Sequence, residues 1–243
     1  MDLSKELWIG DVTDVRTQEK AIESLAVTND AKYWDDEDGI TKVDEERWKT
    51  AQKFEFNCWM THARHTADDR SSEHKNGFNN YSDLPNDLGD VIEIGCGPFT
   101  QFKFITADTI TAKSISLLDP LLNSYTSHPH CSYNDNQING SKIKNKYATK
   151  SEELAANCEY DTLICINVLE HVLNAQSVFD NMYNALKPNG LIIFHERSWD
   201  HIDINKLYDA GHPIRLKLTF IERFISRFSK IYYNNEYFIG KKI

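Results

Sequence analysis

The chain lacks a positive surplus, a long apolar run and any ordered cysteine spacing. Lys and Arg number 27 against 37 Asp and Glu, a formal net charge of −10. That balance argues against nucleic-acid partners, whose phosphates need basic surface to neutralise them. The basic stretches Lys142 to Lys146 and Arg215 to Lys230 alternate with apolar residues and read as solvated faces of ordered elements. No stretch approaches the roughly 20 apolar residues of a membrane span, and Met1 to Glu6 lead into no apolar signal core. Cys58, Cys96, Cys131, Cys158 and Cys165 are an odd set without a Cys-x-x-Cys pair. They suggest neither a disulfide framework nor a zinc knuckle and fit reduced thiols in the cytoplasm. Asn139-Gly140-Ser141 matches a glycosylation sequon, yet without an export signal it reads as a polar turn.

What the chain does have, from about residue 88 onward, is an alternation of short β-rich runs with helical patterns, which predicts a parallel sheet with crossover helices. Strands are expected at Val91 to Ile94, Ser114 to Leu118, Ile143 to Ala148, Thr162 to Ile166 and Leu191 to Phe194. Between the last two, Asn174 caps a helix with Ala175, Val178, Phe179, Met182, Ala185 and Leu186 on one face, stopped by Lys187-Pro188-Asn189-Gly190. A second helix is expected from Leu216 to Phe228, then a hairpin turning at Asn234-Asn235, its last strand antiparallel to its neighbour. Residues 1–87 are acidic, hold all but one of the five tryptophans and read as a helical cap on a domain formed by residues 88–243. Within the cap, Asp44 precedes a helix whose Trp48, Ala51, Cys58 and Trp59 share a face, and Thr66 to Asn80 is polar enough for a flexible loop.

Chemistry concentrates around Val91-Ile92-Glu93-Ile94-Gly95-Cys96-Gly97-Pro98-Phe99-Thr100, a buried strand breaking into a glycine turn that opens a helix. Gly95 and Gly97 let the backbone approach a ligand, and Thr100 can cap the helix that follows. Asp119 ends the second strand 22 residues after Gly97, at the carboxyl edge where open α/β sheets bind ligands; a carboxylate there accepts ribose hydroxyls. Thr100 stands where the third glycine of a dinucleotide fingerprint belongs, and Glu93 would repel a pyrophosphate. The pattern therefore describes a phosphate-free nucleoside site.

At this point the chain resembles the class I S-adenosylmethionine-dependent methyltransferases. Val91 to Gly97 is similar to their first motif and Leu117-Leu118-Asp119 to their ribose-binding acid. Tyr160 to Val172 is similar to the fourth-strand motif, and Leu186 to Phe194 to the segment entering the fifth strand. The resemblance implies a Rossmann-like, seven-stranded, mostly parallel sheet with an antiparallel last strand, and S-adenosylmethionine as cofactor with S-adenosylhomocysteine as product. It places Gly95, Cys96 and Gly97 under the cofactor, Glu93 holding the loop and Asp119 on the ribose. Ser151 and Glu152 fall at the adenine edge, Asn167 beside the methionine portion and Leu169 on the adenine or substrate side. Some relatives hold a divalent metal with Glu-x-x-Glu-His and a later histidine. Asn167 replaces the first of those acids, so Glu170 and His171 read as a helix start and a packed histidine with no metal, although His195 is available to complete a cluster.

The expected reaction is in-line methyl transfer to an oxygen or nitrogen of a small-molecule or glycan acceptor. His195 or Glu196, just past the fifth strand, is the expected base for a hydroxyl acceptor, with His171 and His212 as alternatives. Arg215 is placed to bind an anionic acceptor, or to pair with the acidic cap. Tyr33, Trp34, Trp48 and Trp59 offer aromatic walls or interdomain core. A dinucleotide dehydrogenase lacks support from a third glycine, and an aminopropyl transferase from an acidic diamine site. A non-catalytic S-adenosylmethionine-binding or interaction module on the same fold remains the alternative from another class.

Overall fold

The computed structural model describes residues 30–61, 71–155, 157–201 and 209–243. The first part of the expected cap, and residues 66–70 of the expected loop, lie outside the described residues. Strand β1 is Gly39–Ile40, β2 Asp90–Ile94, β3 Ser114–Leu118, β4 Gln137–Ile138, β5 Ser141–Tyr147, β6 Tyr160–Ile166, β7 Leu186–His195, β8 Arg215–Leu216, β9 Phe228–Asn234 and β10 Tyr237–Lys242. Helix α1 is Glu45–Thr61, α2 Ser71–Gly77, α3 Phe102–Ile105, α4 Leu122–Tyr125, α5 Ala175–Ala185 and α6 Leu218–Ile225.

Eight strands form the main sheet in the order β4-β5-β3-β2-β6-β7-β10-β9. β5, β3, β2, β6 and β7 pair in parallel, while β10 runs antiparallel to both β7 and β9. This is the Rossmann-like architecture expected, with two refinements. The short strand β4 adds an antiparallel edge beside β5, and the last strand lies inside the sheet, between β7 and β9. Tyr237 pairs with Asn234, so the hairpin turns on Asn235, which has φ +56°, and Glu236, one residue later than expected.

Side chains alternate across the sheet, as pleated backbone requires. Ile92, Leu163, Cys165, Ile192 and Phe194 join one buried cluster, and Val91, Ile164, Ile166, Leu191 and Ile193 join the other. α5 and α6 cover the first face, where Phe179 stacks on Phe224 with ring centroids 3.9 Å apart and planes 5° from parallel. The second face is closed in part by Phe78 and Tyr81. These follow α2, a helix within the segment read as a flexible loop. Its sequence Ser-Ser-Glu-His-Lys-Asn-Gly has no apolar face to announce it, and most helical stability comes from packing rather than propensity.

α1 starts as read, with Asp44 Oδ1 accepting the Arg47 amide at 2.8 Å. It is fastened to the loop after β6 by Trp48 Nε1 and Gln52 Nε2, which donate to the His171 carbonyl at 3.1 and 2.9 Å. β1 adds a contact with β8, and α1 thereby lies over the carboxyl ends of the central strands. At the start of α5 the Asn174 side chain accepts the Ser177 amide at 3.2 Å. Asn174→Ala should cost about 1 kcal/mol, read as a lower urea midpoint at unchanged slope.

Candidate active site

β2 ends in a reversal that only glycine makes without strain. Gly95 has φ +65° and Gly97 φ +53°, and a Cβ on Gly95 would lie 2.5 Å from the Val168 methyls. A Cβ on Gly97 would meet nothing within 4 Å, so the backbone at Gly97 faces open space, as a ligand-supporting turn must. The Gly95 amide donates to the Leu118 carbonyl at 2.7 Å, joining the turn to β3. Asp119 holds the same turn from the other side: Oδ2 accepts the Gly97 amide at 3.1 Å, and Oδ1 accepts the Leu121 amide at 2.7 Å. Burial pushes the Asp119 carboxyl up to about 6 against the pull of those two amides.

Glu93 borders the cleft, but its carboxylate is committed to the loop. Oε1 accepts the Gln101 amide at 2.7 Å, while Oε2 accepts the Phe102 amide at 3.1 Å and the Thr100 hydroxyl. Thr100 Oγ1 in turn accepts the Phe102 amide at 3.1 Å. One buried acid therefore satisfies the amides that open α3.

Above the turn lies a cleft. Glu93, Gly95, Cys96, Gly97, Asp119, Ser151, Glu152, Asn167 and His171 all border it, with Trp48 and Trp59 from α1. Glu152 Oε1 accepts the amides of Leu173 and Asn174 at 2.8 Å each, joining the turn after β5 to the start of α5. Asn167 has φ +56° and donates its amide to the His195 carbonyl at 2.9 Å.

Other expected residues lie elsewhere. Leu169 is fully buried in the core, because its amide is drawn to Glu196 Oε2 at 2.6 Å. Glu196 is itself buried and also accepts the Val168 amide at 3.1 Å, so it positions the loop after β6 and does not border the cleft. Burial and the neighbouring Glu170 push its carboxyl well above the usual range. His195 shares the sheet face of Leu191 and Ile193, packed 4.2 Å from the Tyr237 ring and 5.0 Å from His74. Between the two, His74 is the one that reaches the cleft. Tyr33 bonds Asp44, and Trp34 Nε1 bonds Asp36 at 3.0 Å; neither borders the cleft. Arg215 is fully buried against Asp30 at 2.9 Å, the cap pairing rather than an open cleft position.

His212 stands beside His171, with ring centroids 5.0 Å apart. Its Nε2 lies 3.3 Å from Glu170 Oε1 and its Nδ1 2.8 Å from Asp209 Oδ2. Burial opposes a charge on His212, but Asp209 and Glu170 outweigh it and raise its pKa, while Asp209 is held to about 2 by the same pairing against its own burial. His171 Nδ1 lies 2.9 Å from the Gly211 carbonyl; since a carbonyl only accepts, Nδ1 carries a proton and Nε2 is the ring nitrogen left to exchange one. Candidate ligand atoms of Glu170, His171 and His212 all lie within 4.8 Å of one another. The histidine that completes this group is thus His212 rather than His195.

Sequence reasoning did not select Gln52, Glu55, His74, Phe99 or Tyr125, which also border the cleft. Phe99, inside the motif itself, could have been found there; the others come from helices whose docking no local pattern encodes.

A family model described as "Methyltransferase domain" matches residues 64–230. Among curated proteins, the chain is similar to the ubiquinone biosynthesis O-methyltransferase of Rickettsia canadensis (strain McKiel), 31% identical over 104 residues, covering 43% of this chain and 41% of that protein. It is also 30% identical over 119 residues to the protein of that name from Rickettsia prowazekii (strain Madrid E), covering 49% of this chain and 42% of that protein. The match therefore spans about two fifths of the length of these relatives. Among solved structures, the N-methyltransferase NodS from Bradyrhizobium japonicum WM9 in complex with S-adenosylhomocysteine aligns with TM-score 0.54 at 13% identity, over 82% of this chain and 99% of that one. Haemonchus contortus phosphoethanolamine N-methyltransferase 1, in complex with phosphoethanolamine and S-adenosylhomocysteine, aligns with TM-score 0.53 at 15% identity, over 83% of this chain and 50% of that one. At such identities the likeness establishes the fold.

Asp119 generates a stability test. Its folded pKa, about 6, exceeds the ordinary 3.8, so the folded state binds more protons between those values and stability falls as pH rises through that window. Asp119→Asn should remove this component, of order 3 kcal/mol, flattening the pH dependence of urea unfolding between pH 4 and 7.

Proposed function

The chain belongs to the family of S-adenosylmethionine-dependent methyltransferases, and from that premise we propose that its cleft directs methyl transfer to an oxygen of a small-molecule acceptor. The cofactor supplies an electrophilic methyl group on a sulfonium sulfur, displaced in line by the acceptor. The observation that carries the proposal is the placement of His171 on the cleft that begins at the Gly95 to Gly97 turn and Asp119. The residues fit the cofactor: Gly97 offers backbone facing open space, and Asp119 offers a carboxylate at the cleft edge. In this reading Asp119 accepts the ribose hydroxyls, Gly95, Cys96 and Gly97 support the sugar and amino-acid portions, and Glu93 keeps the turn rigid. Ser151 and Glu152 lie at the adenine edge and Asn167 beside the methionine portion.

His171 then acts as the base. Its Nε2 would take the acceptor hydroxyl's proton, while the bound cofactor would supply the methyl group to the acceptor oxygen and leave as S-adenosylhomocysteine. The names of the curated relatives favour an oxygen acceptor on a small molecule.

A second reading rests on the convergence of Glu170, His171 and His212. Both imidazoles have their Nδ1 atoms engaged, by Gly211 and Asp209, the outer anchoring that metal-binding histidines use. A divalent cation held there would bind and orient the acceptor oxygen. Against it stands the pairing of His212 with Asp209 and Glu170, which favours its charged form, and that form must lose a proton to become a ligand. Chelation separates the readings. Activity unchanged in EDTA supports His171 as the base; activity lost in EDTA and restored by one divalent ion, with a calorimetric binding signal absent in His212→Ala, supports the metal.

Calorimetry with S-adenosylhomocysteine tests the cofactor assignment. Because the ionised Asp119 carboxylate accepts hydroxyls, the dissociation constant should rise about tenfold from pH 7 to pH 5, and Asp119→Ala should weaken binding at pH 7. Absence of binding to the wild type would favour the non-catalytic alternative. His171→Ala should lower kcat about 10²- to 10⁴-fold with S-adenosylhomocysteine affinity retained, and products from a mixed panel of phenols and amines should be methyl ethers. Methylated amines would overturn the oxygen assignment.

A further inference from the structure

The face of α1 turned to the cleft carries polar atoms that the methyl-transfer chemistry leaves unused. Trp48, Gln52, Glu55 and Trp59 follow one another at helical spacing, which puts them on one face, and all four border the cleft. Gln52 is 3% exposed, and its Nε2 donates to the His171 carbonyl at 2.9 Å. A carbonyl only accepts, so the amide is held one way round. Its Oε1, without a hydrogen bond among the described residues, is left as an acceptor on the cleft wall.

Glu55, one turn further, is an acid with no lysine or arginine partner among the described residues. Its Oε1 accepts the Trp59 indole N–H. Its Oε2 lies 3.9 Å from His171 Nδ1, whose proton goes instead to the Gly211 carbonyl at 2.9 Å. The other carboxylates on the cleft are committed: Glu93, Asp119 and Glu152 each accept two backbone amides. Among the described residues no lysine or arginine borders the cleft; Lys150, over the Trp48 ring at 5.3 Å, is drawn to Glu45 at 2.6 Å. The Glu55 side chain is 21% exposed, and a largely desolvated charge without a counterion is costly. An indole beside it favours a cation as the missing partner.

We propose that Glu55 and Gln52 form an ammonium-binding subsite, and that the methyl acceptor is a hydroxylated amine whose ammonium group docks there with its hydroxyl near His171. An ammonium brings three donors and one positive charge, which matches two acceptor oxygens, one of them anionic. A neutral hydroxyl would leave the Glu55 charge uncompensated, and an anionic acceptor would be repelled by it. Both acceptors sit beside His171, where the base must meet its substrate, rather than at the Gly95 to Gly97 turn. An ammonium nitrogen has no lone pair, so docking it in this form leaves the hydroxyl oxygen as the nucleophile. The acceptor's identity rests on the methyl-transfer reading, but the ammonium subsite does not.

The test uses 3-(aminomethyl)phenol and its neutral counterpart 3-(hydroxymethyl)phenol, titrated calorimetrically at pH 7 into the full chain saturated with S-adenosylhomocysteine. The amine should bind about tenfold more tightly, the gain expected for one hydrogen bond to a charged group. Glu55→Gln keeps an oxygen for the Trp59 indole, removes the charge, and should bring the two affinities together while S-adenosylhomocysteine binds as before. Gln52→Met, close in size but without the amide oxygen, should also lower the ratio, and it decides the matter if the Glu55 variant fails to fold. Equal affinity of the two probes, no binding of either, or a ratio unchanged in Glu55→Gln overturns the proposal. So does a matching loss of S-adenosylhomocysteine affinity in Glu55→Gln, which would assign the carboxylate to the cofactor, and so does a methylated amine as product. Selective binding of the amine with no methylation by the S-adenosylmethionine-loaded protein would leave the subsite standing and remove the methyl-transfer reading instead.

Discussion

The contact of Gly95 with Val168 is the constraint on which the cleft depends. Two neighbouring strands, β2 and β6, end at the same sheet edge, and their loops pass so closely that no side chain fits at Gly95. β7 supplies the third support, since the His195 carbonyl holds the Asn167 amide and Glu196 holds the next two amides. With three strand ends locked together, the glycine turn, Asp119 and His171 inherit fixed positions from the sheet. The part of the site with regular hydrogen bonding is therefore the part most rigidly placed, as preorganised binding requires.

The same arrangement concentrates buried acids in a chain that is already acidic. Glu93, Asp119, Glu170 and Glu196 are all nearly or fully buried, yet they are treated differently. Glu93 and Glu196 serve backbone amides, Glu170 faces cationic partners, and Asp119 holds two amides at the cleft edge. Backbone amides are fixed donors, so they let an acid act as a structural rivet, although burial still raises the carboxyls of Asp119 and Glu196. Glu196 is held away from the cleft by the two amides it accepts, so it holds the loop.

Much of this was legible in the sequence, because it follows from periodicity and local chemistry. The β3 bounds, the caps at Asp44 and Asn174, the glycine turn and the reversed strand each express rules confined to a few neighbouring residues. What escaped prediction depends on packing between distant segments. α2 has no apolar face, so His74 could not be placed on the cleft. His195 was chosen by its position after a strand, but the pleat sends it to the face shared with Ile193 and Tyr237, away from the opening. His212 reached Glu170 through a loop whose path no local pattern dictates. Residue type was readable for these groups, and direction was not.

The place of β10 has a consequence for how the chain is made. β9 is synthesised before β10, yet it joins the sheet only through β10, which must slip between it and β7. Until residues 237–242 emerge from the ribosome, β7 presents an open edge, rich in apolar residues, whose partner does not yet exist. Such an edge is a template for pairing with other chains. Closure of this side of the sheet therefore waits on β10, and the nascent protein is exposed to aggregation, and in need of chaperone cover, until the hairpin is complete.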